Sequence, residues 1–152
     1  MENHTLFCCQ QDLCPDSCCG AYSGFSDKLN SVDGREFKDI VLTDEDALIL
    51  QNSAFSHLIY QGQDGLYRLL TDTDGYCSAY KSGKCLINDF KPTICKCFPL
   101  YLDMFIGICS HKDCPAANAD YTLFDYENEV QSLIKMCEFW ISHYRKLIDF
   151  GK

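Results

Sequence analysis

Cysteines are the residues of this sequence with the clearest chemical potential, since the chain has 12 of them in 152 residues. Residues 77–99 hold Cys77, Cys85, Cys95 and Cys97 in a stretch rich in turn residues. A second group lies far upstream at residues 8–19, with the sequence CCQQDLCPDSCC. Thiols gathered in this way usually share a metal ion or form disulfides. We therefore predict that the chain folds so that the two groups meet in one split site.

The spacing of the thiols is typical of metal ligands. Zinc takes four thiolate or imidazole ligands, and iron–sulfur clusters are also held by thiolates. Ligand pairs usually lie about two to four residues apart, and Cys14 and Cys18 are separated by three residues, Cys109 and Cys114 by four. The adjacent Cys19 suggests two metal ions or a cluster with several irons, because neighbouring side chains diverge. The spacing does not distinguish zinc from an iron–sulfur cluster, and it does not fix whether the protein has one metal site or two.

The predicted ligands come from both cysteine groups and from the segment that follows them. They are Cys9, Cys14, Cys18, Cys19, Cys77, Cys85, Cys95, Cys97, Cys109 and Cys114. Cys137 is predicted to be a core residue instead, because it falls on the apolar stripe of a helix, where cysteine behaves as a small hydrophobe.

Charge and the start of the chain indicate where this chemistry takes place. The net charge of −9 disfavours a broad basic surface, so we expect no nucleic-acid partner. The first residues lack the basic start and apolar stretch of a signal peptide, and no apolar run is long enough to span a membrane. We therefore expect a cytoplasmic protein that binds metal ions and has no membrane partner. The sequence does not identify a protein or peptide partner. Cysteines of a reducing cytosol are more often ligands or redox groups than disulfides.

The elements around the thiols predict an α+β fold, a single cysteine-rich domain over residues 1–152 with short strands and irregular loops around the site. Thr43 and the acidic residues after it favour a helix over residues 44–53. Residues 58–60 and 66–70 are predicted to form a hairpin, and residues 98–108 another.

A long amphipathic helix is predicted near the end of the sequence. Apolar residues recur at intervals of three and four over residues 126–150, within a C-terminal region of residues 123–150. Packed behind the loop that presents Cys95, this helix would support the site.

The motifs resemble those of the CxxCxxCC family of zinc- or iron-chelating proteins, also called the YkgJ-type domain. The resemblance covers residues 8–114. Its matching positions are Leu42, Thr43, Asp46, the Cys18-Cys19 pair, Gly75, Cys77, Cys85, Lys91-Pro92, Cys95, Phe98-Pro99 and Cys109. The sequence departs from the family in the wider N-terminal cysteine spacing and in Lys91, which stands where the family has arginine. The resemblance implies metal or iron–sulfur binding on a small α+β scaffold.

Three alternatives to a simple metal-binding role remain open at this point. A metalloenzyme acting on a peptide or small molecule needs a general base beside an open coordination position, and His57, His111 and Asp103 are the candidates. A thiol redox protein would use Cys95 and Cys97, with Lys96 lowering their pKa. A structural-zinc interaction module would use the metal only to hold a binding surface.

Overall fold

Short antiparallel hairpins, three α-helices and two short 3₁₀ helices make up the described part of the chain, and its fold class is α+β, as predicted. The computed structural model describes residues 6–9, 40–73, 76–103, 105–110, 114, 116–117 and 120–150, with only the backbone for 146–150. In chain order the elements are α1 (Asp44–Gln51), β1 (Ile59–Gln61), β2 (Tyr67–Leu69), β3 (Tyr80–Lys81), β4 (Lys84–Cys85), α2 (Thr93–Cys97), β5 (Leu100–Asp103), β6 (Gly107–Ser110) and α3 (Glu127–Phe150). Each hairpin is a separate two-stranded sheet: β1 with β2, β3 with β4, and β5 with β6.

Helix α1 begins where the sequence predicts it. The hydroxyl oxygen of Thr43 accepts a hydrogen bond from the backbone N–H of Asp46 at 3.1 Å, and the Asp46 carboxylate accepts one in return from the backbone N–H of Thr43 at 3.4 Å. This capping box satisfies N–H groups that have no partner within the helix. The helix ends at Gln51, two residues earlier than predicted, because the side chains of Asn52 and Ser53 bond back to its last carbonyl groups.

Asp46 also holds a second helix, which the sequence did not predict. Its carboxylate accepts hydrogen bonds from the backbone N–H of Thr93 at 3.0 Å and from the Thr93 hydroxyl at 3.1 Å. Thr93 is the first residue of α2, directly after Pro92, whose fixed φ suits the position before a helix. The segment carrying Cys95 and Cys97, predicted to be a stiff loop, is therefore a short helix.

The predicted hairpins at residues 58–70 and 98–108 are both confirmed. In the first, Tyr60 lies opposite Arg68, and the Arg68 guanidinium donates two hydrogen bonds to the Asp64 carboxylate, at 2.8 and 2.6 Å. Gly62 leaves room for this ion pair, since a Cβ there would lie 2.5 Å from an Arg68 nitrogen. In the second, Tyr101 lies opposite Cys109.

A third hairpin, β3 with β4, has strands of two residues each and was not predicted. Its turn uses Ser82 at φ 50° and Gly83 at φ 80°. Two consecutive residues with positive φ make the tight turn that matches the twist of a hairpin. This turn places Tyr80 directly opposite Cys85.

The buried side chains form two separate cores. The first core lies under α1 and the hairpins β1–β2 and β3–β4. It consists of Leu42, Ala47, Leu50, Leu58, Leu69, Cys77, Ala79 and Ile87. The second core lies between α2, β5 and α3, and consists of Phe7, Cys97, Leu100, Cys114, Tyr126, Leu133 and Met136. Helix α3 packs against α2 and β5, so the predicted support of the Cys95 segment by this helix is confirmed.

Helix α3 is the longest element, and it begins one residue later than predicted. The turn before it repeats the pattern seen at α1, since the Asp125 carboxylate accepts hydrogen bonds from the backbone N–H and the hydroxyl of Thr122 at 2.7 and 2.9 Å. Over the described parts of the chain, no helix has the length and apolar character needed to cross a membrane.

Replacing Asp46 by alanine should lower the stability of the fold far more than the same change at Asp44. Asp46 is 7% exposed. Its loss leaves the buried N–H of Thr93 without an acceptor and also removes the capping box of α1. We expect a cost of about 3 kcal/mol in the free energy of unfolding. Asp44 is exposed in the first turn of α1, so Asp44→Ala should cost less than about 1 kcal/mol. Urea denaturation of both variants measures the difference, and equal losses would contradict the bridging role.

Acid should weaken the first hairpin through Asp64. The hydrogen bonds from Arg68 lower the pKa of Asp64 from 3.8 to about 2. Because the folded pKa lies below the unfolded one, the ion pair stabilises the fold above about pH 4, and this contribution is lost as the pH falls towards 2. The Asp64 side chain is 42% exposed, so the contribution is below about 1 kcal/mol. The difference in free energy of unfolding between the wild type and Asp64→Asn should therefore become smaller as the pH falls from about 6 to about 3. A difference that stays constant over this range would contradict a stabilising role of the ion pair.

Candidate metal centre

Seven of the ten predicted ligands lie within the described residues; five of them belong to or pack against one of the two cores, and two belong to neither. The seven are Cys9, Cys77, Cys85, Cys95, Cys97, Cys109 and Cys114. None of them is in a disulfide. The predicted ligands Cys14, Cys18 and Cys19 lie outside the described residues, as does the candidate base His111.

Cys77 and Cys85 belong to the first core. Cys77 is buried there and Cys85 packs against it partly buried. A polar segment delivers Cys77: Thr71 forms an isolated β-bridge with Cys77, and the Asp72 carboxylate accepts the backbone N–H of Tyr76 at 2.9 Å. The carbonyl of Cys77 then accepts the N–H of Tyr80 at 2.8 Å, and Tyr80 lies opposite Cys85. One turn and one hairpin thus fix both thiols on the same core.

The second core holds cysteines from four distant parts of the sequence. Cys97 and Cys114 are buried in it, and Cys9 and Cys137 pack against it partly buried. Cys97 comes from α2 and Cys137 from α3, so the packing of these helices brings the two thiols to the same core. Cys137 was predicted to be a core residue, and this prediction is confirmed.

The first residues of the chain are anchored to the second core. The backbone N–H of Phe7 donates to the carbonyl of Asp125 at 2.8 Å, and the Phe7 ring packs on the Tyr126 ring with centroids 5.3 Å apart. Cys9 follows two residues later and contacts the same core. The start of the upstream cysteine group therefore lies on the core that contains Cys97 and Cys114, although more than eighty residues of sequence separate Cys9 from Cys97.

Burial makes the Cys97 thiol hard to ionise. Cys97 is 6% exposed, and its Sγ donates a hydrogen bond to the Thr93 carbonyl at 3.2 Å. Burial, and then the nearby Cys137 and Asp46, raise the pKa of Cys97 from 9.0 to about 12. The expectation that Lys96 lowers the pKa is wrong for Cys97, because the exposed lysine does not offset the desolvation of a buried thiolate.

The same helix argues against a disulfide between Cys95 and Cys97. Two residues apart on an α-helix, their side chains leave the axis in directions about 200° apart. Cys97 faces the second core, whereas Cys95 is half-buried and belongs to neither core. The redox alternative for this pair is therefore incompatible with the helix.

Three further candidates lie apart from the cores. Cys109 is half-buried on β6, and its Sγ donates to the Gly107 carbonyl at 3.6 Å. Asp103 shapes the turn between β5 and β6, since one carboxylate oxygen accepts the backbone N–H groups of Phe105 and Ile106 at 2.8 and 2.9 Å. His57 is exposed on a short 3₁₀ turn. The described contacts place neither Asp103 nor His57 beside the thiols, where a general base would have to lie.

The donors of the described residues suit zinc or iron–sulfur chemistry in kind, but they do not complete a site by themselves. Within residues 6–9 and the described parts of 40–150, no three side chains of His, Cys, Asp or Glu come together closely enough to hold a metal ion. A closed site needs four ligands. Cys14, Cys18 and Cys19 lie outside the described residues, so their contribution to a site stays a prediction.

Tyr126 is a polar residue in the second core that the sequence did not reveal. The hydroxyl oxygen is buried and has no hydrogen-bond partner in the part of the chain that the structure describes. Burying a hydroxyl without a partner costs about 1–3 kcal/mol. The Thr122-x-x-Asp125 helix-start pattern could have located the residue, but nothing in the sequence indicates that its hydroxyl is buried.

Comparison of the chain with protein-family models, with curated proteins and with solved structures finds no match. The resemblance to the CxxCxxCC family therefore stays a prediction made from the cysteine, glycine and proline positions.

Cys97 should react with an alkylating reagent far more slowly than Cys8 in the folded, metal-free protein. Cys8 is exposed, whereas Cys97 is 6% exposed and burial raises its pKa from 9.0 to about 12, so almost none of it is the reactive thiolate near pH 8. Timed treatment with iodoacetamide and peptide mass spectrometry measure both rates. In concentrated urea the two rates should become similar. Equal rates in the folded protein would contradict the burial of Cys97.

Proposed function

We propose that this protein is a cytoplasmic metal-binding protein whose ligands are cysteine thiolates, with zinc or an iron–sulfur cluster as the bound group. The observation that carries the proposal is the anchoring of Phe7 and Cys9 on the second core, to which Cys97 and Cys114 also belong. It supports a split site, because the upstream cysteine group begins where thiols from the middle of the chain are already buried.

Chain length supports the same interpretation. Cys14 follows Cys9 by five residues, and five residues span at most about 18 Å. A segment that starts at the second core is thus tethered close to the thiols of α2 and to Cys114. Short tethers favour binding, because closing a short loop costs less conformational entropy than closing a long one.

The state of the described thiols also supports metal binding over disulfide formation. Nine cysteines are described, none is in a disulfide, and three of them are buried. Metal ligation requires thiolates, so loading the site releases protons and becomes more favourable as the pH rises. The high pKa of Cys97 places it among the thiols that only a bound cation would ionise near neutral pH.

Protein purified without oxygen should contain zinc or iron at about one equivalent or more per chain. Elemental analysis measures the metal, and a visible absorption band from sulfur–iron charge transfer distinguishes a cluster from colourless zinc. Less than about half an equivalent of each would overturn the proposal.

The metal content of serine variants should distinguish cysteines that bind the metal from cysteines that do not. Cys85→Ser and Cys95→Ser each remove a proposed ligand and should reduce the bound metal severalfold. Cys8→Ser makes the same chemical change at an exposed thiol outside the proposed set and should keep the wild-type content. Equal metal content in all three variants would remove Cys85 and Cys95 from the site. Circular dichroism of each variant checks that the fold is retained.

A further inference from the structure

The hairpin of β5 and β6 carries the most exposed large apolar side chain of the described residues. Phe105 is 98% exposed and Ile106 is 80% exposed, and both lie in the turn between the strands. Leu102 and Ile108 lie opposite each other beside this turn and are also exposed. Leu100, at the other end of β5, is buried in the second core. The hairpin is therefore anchored at its base, and it presents to solvent an apolar tip made of Leu102, Phe105, Ile106 and Ile108.

Hydrogen bonds fix the turn that presents this apolar tip. One carboxylate oxygen of Asp103 accepts the backbone N–H of Phe105 at 2.8 Å and that of Ile106 at 2.9 Å. Gly107 ends the turn at φ 100°, a conformation that favours glycine. A contact surface that is already ordered loses less conformational entropy when it binds. The apolar tip is thus preorganised for binding.

The charges of the hairpin limit the kinds of surface that it can contact. From Cys97 to His111 the sequence has no lysine or arginine, and Asp103 is the one acidic residue. Segments that bind membrane surfaces combine apolar side chains with basic ones, which attract anionic lipids. A second copy of this chain is also disfavoured as the partner, because each copy has a net charge of −9. The charge pattern therefore favours a partner protein that is basic where it meets the tip.

Asp103 supplies a specific point for this charge complementarity. Both of its described hydrogen bonds use the same carboxylate oxygen, and the second oxygen accepts none from the residues that the structure describes. A lysine or arginine of a partner can therefore bind the second oxygen without disturbing the turn. Complementary charges at the edge of an interface fix its register and speed association.

We propose that the apolar tip docks into a pocket of a partner protein. The pocket is apolar where it takes Phe105 and Ile106, and a lysine or arginine at its rim binds Asp103. Exposed apolar clusters on a protein surface mark interaction sites, and an aromatic side chain seated in a pocket typically supplies much of the binding energy. This docking role needs no metal, so it is independent of the proposed function.

Photo-crosslinking in the cells that make this protein tests the docking role, with p-benzoylphenylalanine in place of Phe105. The control has the same replacement at Phe124, which is also aromatic and is 80% exposed outside the hairpin. We expect position 105 to crosslink to one protein that position 124 does not reach. Mass spectrometry should place the crosslink in a peptide with apolar residues and a lysine or arginine. Absence of a crosslink from position 105, or the same products from both positions, would overturn the proposal.

The affinity of the purified crosslinked partner then tests each contact. Phe105→Ser should weaken binding at least about tenfold, because it removes the aromatic anchor, whereas Phe124→Ser should match the wild type. Asp103→Asn keeps an oxygen for the two backbone N–H groups and removes the charge, so binding should weaken severalfold and depend less on salt. Circular dichroism checks that each variant keeps the fold. Wild-type affinity in Phe105→Ser would overturn the proposal, and wild-type affinity and salt dependence in Asp103→Asn would overturn the basic rim.

Two other occupants of the tip are also distinguished. Crosslinking of position 105 to a second copy of this chain would overturn the proposal, and so would binding to phosphatidylcholine vesicles that Phe105→Ser abolishes. The metal content of the protein is measured separately, so failure of the docking role leaves the proposed function intact, and the reverse also holds.

Discussion

The buried carboxylate of Asp46 is the interaction on which the arrangement of this protein depends. It closes the capping box of α1 and accepts both hydrogen bonds from Thr93 at the start of α2. Helix α1 packs on the first core and α2 carries Cys97 into the second core. One charged side chain therefore fixes the two cores relative to each other. Charge-assisted hydrogen bonds to buried N–H groups are among the stronger polar contributions to a fold, at about 1.5–3 kcal/mol each.

The division into two cores changes how the cysteines are understood. Cys77 and Cys85 are held by local structure, one polar turn and one hairpin. Cys9, Cys97 and Cys114 instead reach one core from distant segments. A metal bound across these groups would add to the side-chain packing, the Asp46 bridge and the Phe7–Asp125 hydrogen bond that already join those segments. Such a metal would contribute to the stability of the whole fold as well as to its chemistry.

The sequence predicted the elements whose signals are local and long enough to recognise. Thr43 and the acidic first turn located α1, the three- and four-residue apolar spacing located α3, and short apolar segments separated by turn residues located two hairpins. Helix α2 was missed because five residues show no periodicity and because its cap comes from Asp46, far away in the sequence. The hairpin of β3 and β4 was missed because two-residue strands have no alternation, which left only the Ser82-Gly83 turn as a signal.

The candidate site was predictable in kind but not in arrangement. Residue type and spacing identify thiols as ligands, and the burial of Cys77, Cys97 and Cys114 agrees with a role inside the protein. Which thiols share a core depends on how α2, β5 and α3 pack, and spacing contains no information about packing. The high pKa of Cys97 likewise follows from burial, whereas the sequence shows only the neighbouring Lys96.

The composition of the two cores has a consequence for synthesis of the chain. Every buried member of the first core lies between Leu42 and Ile87, whereas the second core needs Phe7 from one end and Met136 from the other. A polypeptide emerging from the ribosome can assemble the first core before α3 exists. The part of the second core that comes from α3 cannot form until that helix has been synthesised, so Cys9 and Cys97 stay accessible to solvent for longer than the thiols of the first core.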